Sequence, residues 1–153
     1  MLGQGLWGTQ PTDLYDLRLR TTERSANGMP SFTTPEGTVQ RRKMHVVVTR
    51  QRNGRTRYYI DGVITAETDI PGDFSTWNPR FPLLLGNETT GEYPWRGEIY
   101  LVAMYERALK ISEVKQNFKA GTELVPPVQE FSSPLATSFR RFVLVKNGAD
   151  RAV

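Results

Sequence analysis

The sequence predicts an all-β protein, an antiparallel sandwich of short strands accompanied by one short helix. Two observations support this fold class. Short runs of apolar and β-branched residues are separated by turn dipeptides such as Asn53-Gly54 and Asp61-Gly62. Only one stretch, beginning near residue 112, has a helical spacing of apolar residues. With 153 residues, the chain is long enough to bury a core within a single domain.

The N-terminal part predicts two strands. In LYDLRLRT, Leu17 and Leu19 alternate with Arg18 and Arg20, which is typical of a half-buried strand. The stretch ERSANGMP that follows has the composition of a loop. In SFTTPEGTVQ a short strand is interrupted by Pro35, which favours a sheet edge or a bend.

The centre of the chain predicts a three-stranded antiparallel meander from residue 44 to about residue 68. Its strands are MHVVVTRQ, TRYYI and VITAET, and the turns between them are Asn53-Gly54 and Asp61-Gly62. In a two-residue type I′ turn both central residues need positive φ, which Asp and Gly tolerate well. These two hairpins are therefore predicted from local chemistry alone.

Two further strands and a helix are predicted beyond the meander. FPLLLGN places Phe81, Leu83 and Leu85 on one face of a strand, and GEIYLVAMYERAL is apolar on both faces, as in a strand buried between two layers. A helix is predicted from Ser112 to about residue 119, with Ser112 as its N-cap and Gly121 at its end.

The domain is predicted to span residues 1–121, with a linker and tail over residues 122–153. The stretch TELVPPVQEFSSPLATS is rich in Pro, Ser and Thr, which is typical of a linker. FRRFVLVKNG follows it and has the composition of one extra strand, although a loosely held tail is the open alternative.

Composition narrows the classes of function. The absence of cysteine excludes disulfides, thiol catalysis and zinc-thiolate sites. No run reaches the roughly 20 apolar residues of a membrane span, and no signal-peptide pattern is visible. Basic residues crowd positions 41–43 and 50–57, and the net charge is +4. Without a nucleic-acid motif beside them they indicate solvent-facing strands and turns, with nucleic acid or an acidic polysaccharide as the weaker alternative partner.

The strongest candidate for a binding site is a set of aromatic residues in two loops that flank the strand FPLLLGN. The rings are Trp77, Tyr93 and Trp95. Sugars present flat C–H faces that stack on aromatic rings, and amide or guanidinium neighbours can hydrogen-bond their hydroxyl groups. The neighbours of that kind are Asn78, Arg80, Asn87 and Arg96. The alternative is that the tryptophans cover the edge of the core, since Trp is largely buried on average.

Catalytic and metal sites are weakly supported. His45 is the only histidine, and without a second histidine or a cysteine it builds no typical transition-metal site. Glu67 and Asp69 share one face of a strand, and their simplest interpretation is an exposed strand end. Asp61 is explained as a turn residue. No cofactor is predicted, and calcium stays open because oxygen-bearing side chains occur in the loops, namely Asp73, Asn87 and Glu88.

The ordered set of motifs resembles the laminin-G-like jelly-roll domains of the concanavalin-A-like lectin/glucanase superfamily. The resemblance rests on MHVVVTRQRNGRTRYYIDGVITAE, LLLGN, GEIYLVAMYERAL and KISEVKQNFKAG, which occur in the family's order between Tyr15 and Gly121. Many members have Asp-Glu where this chain has Tyr100 and Leu101. In calcium-binding relatives an acid near these positions helps to hold the ion, so this difference argues against calcium binding. A complete domain of this kind has several more strands before LRLRT. The resemblance therefore implies either a jelly roll that is incomplete on its N-terminal side and could self-associate, or a tail from Thr122 onward that supplies the missing sheet.

The resemblance implies a non-catalytic binding or adhesion module with carbohydrate as its ligand, in an extracellular or periplasmic protein. One alternative is a structural or protein-interaction module of a larger extracellular protein, in which the aromatic residues belong to a core or an interface. Another is a fragment of a glycosidase-like protein whose catalytic part lies elsewhere. The glucanase branch uses a Glu-x-Asp-x-(x)-Glu strand, which this chain lacks.

Overall fold

The computed structural model describes residues 1–5, 9–78, 80, 83–86 and 97–122. These residues form two three-stranded antiparallel sheets and one helix. The first sheet contains β1 (Leu2–Gln4), β2 (Tyr15–Leu17) and β3 (Phe32–Thr33), and the second contains β4 (Val46–Arg50), β5 (Arg55–Ile60) and β6 (Val63–Asp69). The helix α1 is Ile111–Ala120. In both sheets the strands are neighbours in sequence order.

The β4–β5–β6 meander confirms both predicted hairpins. Asp61 and Gly62 have φ of 51° and 82°, the positive values that the predicted type I′ turn requires. At the other turn the backbone N–H of Gly54 donates to the carbonyl of Gln51 at 3.0 Å, and Gly54 has a φ of 92°. The strands are in register from Val46 opposite Ile60 onwards, with one irregularity between β5 and β6.

The core lies between the two sheets. Tyr58 of β5 is fully buried, and its ring lies 4.9 Å from the ring of Phe32 in β3. Tyr15 and Leu17 of β2 and Ile70 complete the same buried cluster. Because side chains from both sheets meet in one core, the predicted all-β sandwich is confirmed.

Strand β2 differs from its sequence prediction in one respect. The alternating pattern predicted that one face would be open to solvent, but Asp16 is 1% exposed and Arg18 is 8% exposed. The guanidinium Nε of Arg18 lies 3.7 Å from the Asp16 carboxylate, so the two charges are buried as a pair. The prediction of a half-buried strand was therefore wrong, since opposite charges can be buried together when neither could be buried alone.

Helix α1 packs on the outer face of the second sheet. Val114 is fully buried against Tyr59 of β5 and Leu109. The predicted N-cap, Ser112, is wrong: the helix begins after Lys110, whose backbone N–H donates to the Glu113 carboxylate at 2.7 Å. Gly121 ends the helix as predicted, with a φ of 63°. No helix in the described part of the chain has the length and apolar character needed to cross a lipid bilayer.

The two strands predicted after the meander are not formed by the described residues. Between residues 83 and 86 only Leu85 makes a bridge, a parallel one to Leu2, and the Leu83 side chain is exposed. Phe81 lies outside the described residues. Residues 98–109 belong to no strand, and several of their apolar side chains face solvent. An apolar sequence becomes a strand only when a neighbouring backbone completes its hydrogen bonds.

Candidate functional site

Two aromatic rings form an exposed platform in the loop that follows β6. The rings of Phe74 and Trp77 meet edge to face, with centroids 5.9 Å apart and planes at 90°. A turn brings them together, because the backbone N–H of Trp77 donates to the carbonyl of Phe74 at 3.0 Å. Phe74 is 42% exposed and Trp77 is 47% exposed, so a large part of each ring is free to contact a ligand. We call these two rings the aromatic platform.

Arg50, at the end of β4, contacts both the Phe74 ring of the platform and the backbone of its loop. Its guanidinium carbon lies 5.0 Å from the centre of the Phe74 ring, within the range of a cation–π interaction. The Nη2 nitrogen of the same guanidinium donates to two carbonyl oxygens, that of Ile70 at 2.9 Å and that of Gly72. Arg50 therefore fixes the backbone of the loop and one of its rings to the rigid sheet.

A second set of bonds ties the platform loop to the loop after β2. The backbone N–H of Thr22 donates to the Asp73 carbonyl at 2.9 Å, and the Asp73 N–H donates to the Thr22 hydroxyl at 3.0 Å. The Thr21 hydroxyl donates to the Pro71 carbonyl at 2.8 Å. Gly72 sits between the loops with φ of 78°, and a Cβ there would lie 2.7 Å from the Thr22 hydroxyl oxygen. The two loops thus approach as closely as a glycine allows.

Short-range polar bonds order the rest of the loop. The Asp73 carboxylate accepts from the backbone N–H of Ser75 at 2.9 Å and from its hydroxyl at 2.6 Å. These bonds lower the pKa of Asp73. The side-chain oxygen of Asn78 accepts from the Arg80 backbone N–H at 2.9 Å, and both residues are exposed. Asn78 and Arg80 therefore follow the platform in the same exposed loop.

Three of the predicted site residues are described, and all three are exposed in the loop that follows β6, namely Trp77, Asn78 and Arg80. The other four lie outside the described residues, namely Asn87, Tyr93, Trp95 and Arg96. Sequence reasoning missed Phe74 and Arg50. The Phe-x-x-Trp spacing in a Pro-Gly-Asp loop was a usable signal for Phe74, because a single turn makes residues three apart into neighbours. No sequence signal joins Arg50 to a loop some 20 residues further on.

His45 and Asp61 have structural roles. The backbone N–H of His45 donates to the Asp61 carboxylate at 2.8 Å, and the His45 ring stacks on Phe118 of α1 with centroids 5.9 Å apart. Burial lowers the pKa of His45, although the Asp61 carboxylate acts in the opposite direction. The other oxygen of Asp61 contacts Arg42 at 2.6 Å. These bonds close the β5–β6 turn onto the start of β4.

The acidic candidates are also held by neighbours. Glu67 of β6 contacts Arg57 and, at 3.4 Å, Arg55 on the outer face of the second sheet. The hydrogen bond from Arg57 lowers the pKa of Glu67. Within the described ranges no three His, Asp or Glu side chains lie close enough to hold a metal ion. Of the three residues for which calcium was left open, only Asp73 is described, and it binds Ser75.

Such a platform can bind a flat, partly apolar face. Aromatic faces carry a negative quadrupole, which favours the weakly positive C–H groups of a sugar ring or an aliphatic chain. Because Arg50 and the paired loops already hold the Phe74 ring and the loop backbone, less conformational entropy is lost when a ligand binds. Exposed donors and acceptors at the rim allow hydroxyl groups to be recognised.

The match to a protein-family model agrees with this architecture. A laminin-G-like family model, described as the concanavalin A-like lectin/glucanases superfamily, matches residues 7–115, well over half of the chain. No curated protein matches the chain at a significant level. Among solved structures, the chain is similar to an S-layer domain-containing protein from Clostridium thermocellum (residues 221–444), with 18% identity and a TM-score of 0.41. That alignment covers 67% of this chain and 49% of the solved one, so the chain spans about half of that structure's length.

Proposed function

We propose that this chain, which belongs to the concanavalin A-like lectin/glucanase superfamily, is a non-catalytic binding module whose ligand is carbohydrate. The observation that carries the proposal is the aromatic platform, an exposed pair of rings held in place before any ligand arrives. A protein exposes two large neighbouring rings at a stability cost, so such a pair is a functional candidate.

In this proposal the C–H face of one sugar residue stacks on Trp77, and its edge contacts Phe74. Asn78 and Arg80 hydrogen-bond the hydroxyl groups at the rim, since both are exposed in the loop that carries the platform. The second predicted loop would extend the site along a glycan chain through its four candidates, Asn87, Tyr93, Trp95 and Arg96. Loops on a rigid sandwich are a usual place for recognition.

The absence of catalysis is part of the proposal. Glycoside hydrolysis usually needs two carboxyl groups about 5–10 Å apart across the scissile bond. Among the described acids near the platform, Asp73 is occupied with Ser75, and Glu67 is engaged by two arginines on the outer sheet face. The proposal includes an extracellular or periplasmic location, because binding modules of this superfamily are usually parts of such proteins.

A protein-interaction module is the second candidate, and the same platform favours it. Aromatic and arginine side chains that cluster at a surface are typical centres of protein–protein interfaces. Here Phe74, Trp77 and Arg50 form such a cluster. The two functions share one site and differ in the ligand that covers it.

A glycan-array screen of the folded chain, with and without calcium, tests the proposal. Trp77→Ala and Phe74→Ala each remove one ring of the platform, and each is expected to weaken binding of a positive glycan at least tenfold. Phe118→Ala is the matched control, because Phe118 is 43% exposed but lies on α1. The control variant should bind as the wild type does.

Three outcomes are informative. Equal binding by Trp77→Ala and wild type would move the site away from the platform. Equal loss in Phe118→Ala and Trp77→Ala would show a general loss of folding rather than a site. If a cooperatively melting sample binds no glycan at all, the carbohydrate proposal is wrong and the protein-interaction module replaces it.

A further inference from the structure

Residues 98–105, with the sequence EIYLVAMY, form an apolar segment that lies open on the surface. Its exposed apolar side chains include Tyr100 at 51% and Tyr105 at 53%, together with Ile99 and Met104. The segment runs without a turn or bend from Glu98 to Tyr105. We call it the open segment.

The backbone of the open segment lacks partners in the described part of the chain. None of its N–H or C=O groups makes a main-chain hydrogen bond to another described residue. Its only bonds there are made by side chains, from Tyr100 to Glu98 and from Asn117 to Tyr105. A run of apolar residues with unsatisfied backbone groups is the pattern of a strand that needs a neighbour.

We propose that residues 139–145, FRRFVLV, supply this neighbour and add to the open segment as a β-strand. This part of the tail lies outside the described residues, and it is rich in aromatic and β-branched residues. Addition of an extended segment to an exposed backbone edge satisfies main-chain hydrogen bonds and covers alternate side chains. The inference is independent of the carbohydrate proposal.

The place where the described chain ends supports this choice of partner. The hydroxyl of Thr122 accepts a hydrogen bond from the Lys43 ammonium at 2.9 Å. The same ammonium lies 4.9 Å from the centre of the Tyr100 ring. The tail therefore starts beside the open segment. The 17 residues from Thr122 to Phe139 can span about 55 Å when extended, roughly twice the length of an eight-residue strand.

Charge complementarity supports the tail over a second copy of the chain. The open segment begins with Glu98 and is followed by Glu106, whereas residues 139–145 contain Arg140 and Arg141 near their start and are followed by Lys146. Glu98 and Glu106 are eight positions apart and Arg140 and Lys146 are six, so in either strand direction one base can lie directly opposite one acid while the other base is a diagonal neighbour of the second acid, within reach of a long side chain. A second copy would offer the same acids again, and Arg107, the base that follows Glu106, is already paired with Glu113 at 2.5 Å.

Amide hydrogen exchange on the full chain tests the pairing. In the wild type the amides of residues 99–105 are expected to exchange at least tenfold more slowly than in Leu144→Asp, which places a charge in the middle of the proposed strand. Val128→Asp is the control, because it makes the same kind of change in the tail outside residues 139–145. It should keep the wild-type protection, and the protection should not depend on protein concentration.

The exchange experiment has clear opposing outcomes. No protection of residues 99–105 in the wild type would overturn the proposal. So would protection that survives Leu144→Asp. Protection that disappears on dilution would overturn it in favour of a second copy. If Leu144→Asp also abolishes protection in β5, the variant is unfolded. A cross-linking experiment then tests whether the two segments pair.

Disulfide cross-linking between introduced cysteines has no background from native thiols, because the chain contains no cysteine. Ala103→Cys is combined with a cysteine at position 142, 143 or 144, since paired strands bring Cα atoms within disulfide range. We expect at least one combination to form an intrachain disulfide tenfold faster than Ala103→Cys with Val128→Cys. Equal rates in all combinations, or disulfides only between chains, would overturn the proposal.

Discussion

Substitution of Gly72 by alanine should separate the platform loop from the loop that holds it. Gly72 has φ of 78°, and an added Cβ would lie 2.7 Å from the Thr22 hydroxyl oxygen and 2.8 Å from the Glu23 backbone nitrogen. The second contact is with backbone, which cannot rotate away as a side chain can. Gly37 is a matched control, with φ of 74° and no atom within 4 Å of the added Cβ.

Both substitutions place alanine in a left-handed backbone conformation, and only Gly72→Ala adds a steric collision. A left-handed backbone costs alanine about 1 kcal/mol after allowance for the smaller entropy of the unfolded chain. Gly37→Ala should therefore lower the free energy of unfolding by about 1 kcal/mol. The collision at Gly72 adds roughly 1–3 kcal/mol, typical of an overpacked site, so Gly72→Ala should lower it by about 2–4 kcal/mol.

Urea unfolding followed by tryptophan fluorescence measures both free energies, and the glycan screen measures the platform. Gly72→Ala should also weaken any binding that depends on Trp77, because the loop must move away from Thr22. Gly37→Ala should leave that binding unchanged. Equal stability losses in the two variants would refute the reasoning, since they would mean that the close approach of the loops contributes nothing.

Three further predictions concern stability. Val114→Ala removes two methyl groups from a fully buried site and should cost about 1–2 kcal/mol in urea unfolding, whereas Val63→Ala, at a 65% exposed residue, should cost less than about 0.5 kcal/mol. Tyr58→Phe removes a buried hydroxyl that has no hydrogen-bond partner in the described part of the chain, so stability should stay constant or rise by about 1 kcal/mol; a clear loss would reveal a bond to that hydroxyl. Hydrogen bonds, above all from Arg107, lower the pKa of Glu113 to about 2 from its ordinary value of 4.5. Its stabilising effect is therefore complete above pH 4.5 and lost as the pH falls towards 2, and Glu113→Gln should flatten that part of a stability–pH profile.

The hairpins could be predicted because their causes are local. At Asp61-Gly62 the two residues that need positive φ are adjacent in the sequence, and they have it in the structure. The helix end at Gly121 is equally local. The helix start was misplaced because Ser112 has the chemistry of a cap, while the bond that forms runs from Lys110 to Glu113. Competing caps a few residues apart are distinguished only by packing.

Features that depend on distant partners could not be predicted from the sequence. The apolar run at 98–105 reads as a strand, but strand formation depends on which backbone lies beside it. The burial of Asp16 and Arg18 depends on their pairing, which a polar–apolar pattern does not encode. At the candidate site, Trp77 stood out by residue type. Arg50 did not, because its role follows from the approach of β4 to a loop far along the chain.

The local character of the β4–β5–β6 meander has a consequence for the order of folding. Its contacts join neighbouring strands through turns of a few residues, so little loop entropy is lost when it forms, and we expect it to appear early. The contacts of residues 21 and 22 with residues 71 and 73, and the bridge between Leu2 and Leu85, close much longer loops. The platform is therefore completed among the last events of folding. Ligand binding should recover with the slowest refolding phase, and a chain that has only its meander in place should not bind.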